Sequence, residues 1–350
     1  MAKRDYFDDL IQQGDLENFD SIDHIPLIKN APPERQRLPR RWQSGPSTKQ
    51  FQAEILAELV EADRFDFSYH ASRHEREWIE NSLGRFYDQQ WFDDVLRLIK
   101  GGKEASVYQC LGNATTNAEY IAAKVYRPRQ FRALKNDHIY QEGRPRLDDS
   151  GNVVIDDGLN RAMDSRSEYG LRLLHTSWIE HEFRTMRILR KAGADIPIPY
   201  TSGDNAILME YIGGAETSAP TLNTIELTPS EARPLFERCL HNIELMLAHE
   251  RVHADFSAFN ILYWEGEITI IDFPQAINPE ENLNAFRIFE RDVLRICEYF
   301  ARQGIKSNPQ EIAAKIWAAN KYRMRPALDP KYLDDENEED RTYWDKFINE

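Results

Sequence analysis

Between Val252 and Phe273 the chain reads VHADFSAFNILYWEGEITIIDF, and no other stretch constrains the fold as much. Two short apolar runs, Ile261-Leu262-Tyr263 and Ile268 to Ile271, flank Trp264-Glu265-Gly266-Glu267. β-Prone runs around a glycine-containing turn predict a β-hairpin. Such a hairpin brings Asn260, at the start of the first strand, close to Asp272, at the end of the second. An amide oxygen and a carboxylate then converge on one point, as hard oxygen ligands for Mg²⁺ do. Asp255, on the loop before the first strand, overlooks the same point. Taken singly, these residues have ordinary readings as a turn residue, a cap and a surface carboxylate. The ordered set H-x-D-x-x-x-x-N, hairpin, I-D-F is far more specific than a lone H-x-D.

Upstream, Ile99 to Tyr108 reads IKGGKEASVY, with strand-like flanks around Gly101 and Gly102. Glycines let a backbone turn tightly and approach a ligand without a Cβ clash. A strand-glycine-strand loop carrying Lys103 and Ser106 can lay amides, a hydroxyl and an ammonium over phosphates. It is neither a Walker P-loop nor G-x-G-x-x-G, and an ordinary hairpin is the competing reading. Tyr120 to Tyr126, YIAAKVY, is an apolar strand with one lysine, Lys124, on the face opposite Ala123 and Val125. A lysine on such a strand is costly unless it is paired or bound to an anion. The plain alternative is an edge-strand lysine facing water.

In order, GGKEASVY, the AAKVY strand, EFRTMRIL, LMEYIGG, APTL, VHADFSAFNILY and IDFPQA resemble the RIO family of atypical protein kinases. The resemblance covers about residues 95 to 300 and rests on no single motif. It implies an α+β, two-lobed protein-kinase-like fold, with a small β-rich N-lobe, a mainly helical C-lobe and Mg²⁺-ATP in the cleft. It further implies phosphoryl transfer to Ser/Thr of a protein substrate, or an autophosphorylating or ATPase switch. Lys124 resembles the lysine on the α/β-phosphates, and its partner is expected on the helix Trp178 to Lys191. Glu182 is preferred there over Glu180, which faces another side. Lys103 and Ser106 are expected over the phosphates, and the Glu210 carbonyl and Ile212 amide at the adenine edge. Asp255 is the expected base, Asn260 and Asp272 the metal ligands, and His253 a packing residue. By resemblance alone, a ribosome-associated or RNA-containing partner is implied. Two other readings stay open: a small-molecule phosphotransferase of the aminoglycoside-kinase type, and a catalytically weak nucleotide-binding adaptor.

The chain also departs from ordinary protein kinases. Asp272-Phe273-Pro274 stands where D-F-G would, and proline fixes φ and removes a donor. No A-P-E follows. A helix is predicted from near Leu283, with Phe286, Phe289, Val293, Ile296 and Phe300 at helical spacing and Gly304 as its stop. That leaves too little chain for a full activation segment.

Composition bounds the rest. The 350 residues, 41% hydrophobic, suffice for a substantial core. No run of 18 apolar residues and no signal sequence is evident, so a cytoplasmic protein without a membrane partner is expected. Cys110, Cys239 and Cys297 are too far apart for zinc spacing and are expected as buried thiols. A net charge of −15 argues against broad nucleic-acid binding. The expected organisation is a disordered basic arm over 1–50 and a helical extension over 51–94. The N-lobe follows over 95–212, with a flexible insertion at 137–171, then the C-lobe over 213–305. A helical segment and acidic tail close the chain over 306–350.

Overall fold

The computed structural model describes residues 65–127, 144–165, 167–203 and 205–322. The basic arm expected over 1–50 and the acidic run near the C-terminus lie outside them. The elements run α1 (Arg73–Asp88), β1 (Asp94–Gly101), β2 (Ala105–Leu111), β3 (Tyr120–Tyr126), α2 (Asp157–Ser165) and α3 (Glu168–Ala192). They continue as β4 (Pro199–Gly203), β5 (Ala206–Glu210), α4 (Pro229–Ala248), β6 (Ile261–Trp264), β7 (Glu267–Ile270), α5 (Ala285–Arg302) and α6 (Pro309–Ala319).

Strands β1 to β5 form a five-stranded sheet in the order β1-β2-β3-β5-β4, with antiparallel pairing throughout. Period-2 alternation gives the sheet two apolar faces. Tyr108, Cys110, Ile121, Ala123, Val125, Ala206 and Leu208 pack outward against Ile79, Leu83 and Phe86 of α1. Ala122, Tyr126, Ile207 and Met209 face the other way, into the core shared with α3 and the C-lobe. Lys124, between Ala123 and Val125, shares this inner face.

Helix α1 starts at Ser72, whose hydroxyl accepts from the Glu75 amide, so one of the unpaired first-turn donors is satisfied. Within 65–94 the helix occupies only Arg73–Asp88; Phe65 and Phe67 precede it as non-helical anchors in the outer core. In the described part of the expected helical extension, the apolar face of α1 is buried against the sheet; residues 51–64 lie outside the described residues.

Of the insertion expected to be flexible over 137–171, the described residues begin at 144 and carry a turn and a helix. Asp148 Oδ1 accepts from the amides of Ser150 and Asn152, which folds the polar run into a tight turn closed by the Leu147–Val153 bridge. Buried Leu147 and Met163 anchor this turn and α2 onto α3. Gly170 permits the close crossing of α2 and α3, since a Cβ there would lie 1.8 Å from the Ala162 carbonyl oxygen.

In the C-lobe, α4 begins with a capping box between Thr228 and Glu231. The predicted hairpin is present, with Ile261 opposite Ile270 and Trp264 opposite Glu267. Its two turn residues, Glu265 and Gly266, both have positive φ, the backbone that matches strand twist in a two-residue hairpin. Helix α5 buries Ile288, Phe289, Val293, Ile296 and Phe300, and α6 closes over it through Trp317. Cys110, Cys239 and Cys297 are buried free thiols. Among the described residues no helix is long and apolar enough to cross a membrane.

Candidate active site

The inner face of the sheet carries Lys124 into the cleft between the lobes. Its Nζ lies 2.8 Å from Glu182 Oε1 on α3 and 2.6 Å from Asp272 Oδ1 just after β7. Burial favours the neutral amine, but the Asp272 and Glu182 carboxylates outweigh it and hold the ammonium above the usual lysine range. Burial likewise works against the Asp272 carboxylate, and Lys124 outweighs it, so its pKa lies below the usual range. Glu180, two residues from Glu182, points elsewhere and accepts from the Ser202 hydroxyl of β4 at 2.7 Å.

Glu182 is fixed from three elements. Lys124 and the Phe273 amide share its Oε1, while Tyr126 Oη donates to Oε2 at 2.5 Å. Tyr126 is buried beneath Trp178, with the Lys124 ammonium 5.2 Å from its ring centre. This tyrosine was not singled out from sequence, although it sits two residues after Lys124 and so on the same strand face.

The loop before β6 presents Asp255, and the turn Ala258–Asn260 returns Asn260 to it. Asn260 Nδ2 donates to the Asp255 carbonyl at 3.0 Å and to Asp255 Oδ2 at 2.9 Å. With its amide nitrogen so engaged, the Asn260 oxygen is left for another ligand. The Ile271 amide donates to the Asn260 carbonyl, which ties the turn to the segment carrying Asp272. Asp255 Oδ1 accepts from Arg295 Nη1 of α5 at 2.8 Å. Arg291, one turn earlier, donates to the Ala254 carbonyl. Neither arginine was legible as a site residue, because helical periodicity gives a face and not a partner.

His253 Nδ1 accepts from the Asp255 amide and Nε2 donates to the Ile271 carbonyl. Burial outweighs the nearby Asp272 carboxylate and lowers its pKa, which fits this neutral tautomer. It packs between Phe256 and Phe273. Ala254 and Asp272 both hold positive φ, of 67° and 76°, an uncommon backbone for non-glycine residues that concentrates at functional sites.

The remaining predicted residues divide. Glu210 ends β5, locked to Ile198 through its amide and its carboxylate. The Ile212 carbonyl accepts from the Ala219 amide, while the Ile212 amide has no partner among the described residues. Lys103 is exposed on the β1–β2 turn. The expectation for Ser106 is corrected. Its Cα pairs with Val125 and it shares the face of Tyr108, so its hydroxyl points to the outer core and away from the cleft. The residue opposite Lys124 is Val107.

Residues 106–312 match the model of the RIO domain family. The chain belongs to the RIO family. It is 28% identical over 216 residues to the RIO-type serine/threonine-protein kinase Rio1 of Haloferax volcanii, covering 59% of this chain and 63% of that protein. It is 28% identical over 208 residues to human serine/threonine-protein kinase RIO1, covering 59% of this chain and 33% of that protein. The Schizosaccharomyces pombe rio1 kinase is 27% identical over 256 residues, covering 71% of this chain and 47% of that protein. This RIO-family chain thus spans less than two thirds of the length of these curated relatives. Among solved structures, it resembles the Rio2 kinase-ADP/Mg²⁺-phosphoaspartate complex from Chaetomium thermophilum, with 18% identity, 87% coverage of each chain and a TM-score of 0.48.

Proposed function

We propose that this chain is an ATP- and Mg²⁺-dependent atypical serine/threonine kinase of RIO type. The observation that carries the proposal is Lys124 held between Glu182 and Asp272, on the same cleft as Asn260 and Asp255. These residues fit the groups the reaction needs. The Asp272 carboxylate and the Asn260 amide oxygen, whose nitrogen is engaged with Asp255, form a hard, incomplete donor set of the kind that suits Mg²⁺. When bound, Mg²⁺ neutralises charge on the phosphates and orients them.

The chain's own residues then divide the work. Lys124, kept charged by its neighbours, binds phosphate oxygens and gives up part of its contact with Asp272 to do so. Glu182 fixes the direction of the lysine. Asn260 and Asp272 would hold the metal. The Glu210 carbonyl and the Ile212 amide receive the adenine edge. Asp255 faces the acceptor side, where a hydroxyl proton would pass to its carboxylate. His253, neutral and buried, fixes the loop backbone and takes no proton.

The test is Mg²⁺-dependent ATP turnover and labelling of protein in Asp272→Asn beside wild type. Exchanging the charged ligand for a neutral one is expected to abolish Mg²⁺-dependent turnover. Unchanged dependence would overturn the metal assignment, and labelling of metabolites without protein would move the function to a small-molecule phosphotransferase.

A further inference from the structure

Phosphoryl acceptors in kinases meet the enzyme beside the catalytic aspartate, and here that side has an unusual composition. Asp255 Oδ1 is capped by Arg295 of α5 at 2.8 Å, and both side chains are partly open, 37% for the arginine and 41% for the aspartate. The guanidinium spends Nη1 on this contact, and its other donors have no protein partner among the described residues. One and two turns back on the same ridge stand Arg291 and Arg287. Arg291 is engaged with the Ala254 carbonyl and Asp292, whereas Arg287 is exposed and has no ion-pair partner among the described residues. Glu290 and Glu298 are the acidic residues on this side of the helix. Phe259, in the turn that α5 touches, is 65% exposed.

Three further facts give this ridge a direction. The chain as a whole is strongly acidic, at −15, so a basic ridge ending on the candidate base is a local exception. The connection from Pro274 to Asn284 is short and begins with a strand-like pairing of Ile277 to Val252, so the acceptor face falls to α5 and the catalytic loop. From Arg287 to Arg295 the helix rises about 12 Å, which matches about four residues of extended chain and exceeds the reach of one small anion.

We infer that α5 forms the acceptor-docking ridge and selects an acidic peptide segment, in which Asp or Glu side chains next to the accepting Ser or Thr pair with Arg295 and Arg287. Phe259 packs on the same segment. Arg295 thereby acts as a specificity residue as well as a support for Asp255. A peptide is favoured over RNA because Glu290, Glu298 and Asp255 would repel a continuous phosphate backbone, while spaced acidic side chains can meet the arginines one at a time. The inference rests on the kinase reading given above.

The test uses the full chain with Mg²⁺-ATP and matched serine peptides whose flanks are Asp/Glu, Asn/Gln or Lys. ATP hydrolysis is read in the same samples. The wild type is expected to prefer the acidic peptide by roughly tenfold in kcat/KM, with the preference falling as salt rises. Arg287→Gln and Arg295→Gln are each expected to cut that preference by roughly threefold, the scale of a partly exposed ion pair. Arg295→Glu is expected to turn it toward the lysine-flanked peptide. Equal use of acidic and neutral peptides, or a ratio untouched by Arg295→Gln, would overturn the inference. So would a short RNA that blocks labelling more strongly than the acidic peptide does. ATP turnover with none of the peptides labelled would remove the docking ridge and leave the nucleotide site standing. No ATP turnover at all would remove the kinase reading, and the ridge's role with it.

Discussion

The Tyr126 phenol donates to Glu182 Oε2 at 2.5 Å, inside a core that excludes water from both groups. That bond leaves Oε1 of the same carboxylate to Lys124 and the Phe273 amide. Strand β3 therefore supplies both the lysine and the group that aims the lysine's partner. Tyr126→Phe keeps the ring and removes only the donor. A hydrogen bond to a charged group contributes about 1.5–3 kcal/mol. The variant is expected to fold, to lose roughly tenfold or more in kcat, and to keep nucleotide affinity within a few-fold. Wild-type kcat in Tyr126→Phe would make the tyrosine a packing residue.

Lys124 neutralises one fully buried carboxylate and one partly buried one, so removing it affects stability as well as turnover. Lys124→Met is expected to cut turnover by about 10²-fold or more. It is also expected to destabilise the fold by about 3–5 kcal/mol, the scale of breaking a buried pair from one side. Lys124→Met/Glu182→Gln removes the stranded charge on α3 and should recover stability without activity. Chemical denaturation of the three proteins separates the two effects, and equal stability of wild type and Lys124→Met would contradict the pairing.

Asp292 of α5 lies buried under the catalytic loop. Burial pushes its carboxyl up from 3.8 to about 7, against the pull of Arg291. The folded state thus holds a proton that the unfolded chain has already released above pH 4. Stability from this group is fully present below the unfolded pKa and is lost as pH rises from about 4 to 7, by an amount on the order of a few kcal/mol. Asp292→Asn has no proton to lose. Its stability relative to wild type is expected to rise across that window and level off above it. Denaturant titrations at pH 5, 6 and 7.5 check this, and a difference that does not change with pH would contradict it.

Ser106→Ala is expected to leave ATP affinity within about twofold, because the hydroxyl faces the outer core with Tyr108. A large loss of affinity would return Ser106 to the nucleotide site.

Much of this site could be read in the sequence, because its core is local. The hairpin that joins Asn260 to Asp272 follows from two β-prone runs and a turn that needs positive φ. The resemblance, not periodicity, pointed to Lys124 and to a glutamate on the following helix; strand alternation and helical facing narrowed these to an inner-face lysine and to Glu182 over Glu180. Ser106 was misplaced because the loop was read as a whole, without carrying the alternation across from Lys124, whose cross-strand neighbour is Val107. Polar composition alone did not reveal the local structure of the segment from residue 144 to α2. One aspartate, Asp148, gathers that polarity into a turn, and Leu147 and Met163 are enough to anchor it. Arg295 was out of reach: forty residues separate it from Asp255, and only the packing of α5 under the loop brings them together.

In the proposed mechanism Asp255 serves the acceptor side while Asn260 and Asp272 serve the metal side. Asp255→Asn separates the two sides, when nucleotide Kd and the rate of phosphoryl transfer at saturating Mg²⁺-ATP are measured together. Transfer is expected to fall by about 10²–10⁴-fold, the range of general-base contributions, with Kd nearly unchanged. Wild-type transfer in Asp255→Asn, or a loss of Kd equal to the loss of rate, would contradict the account.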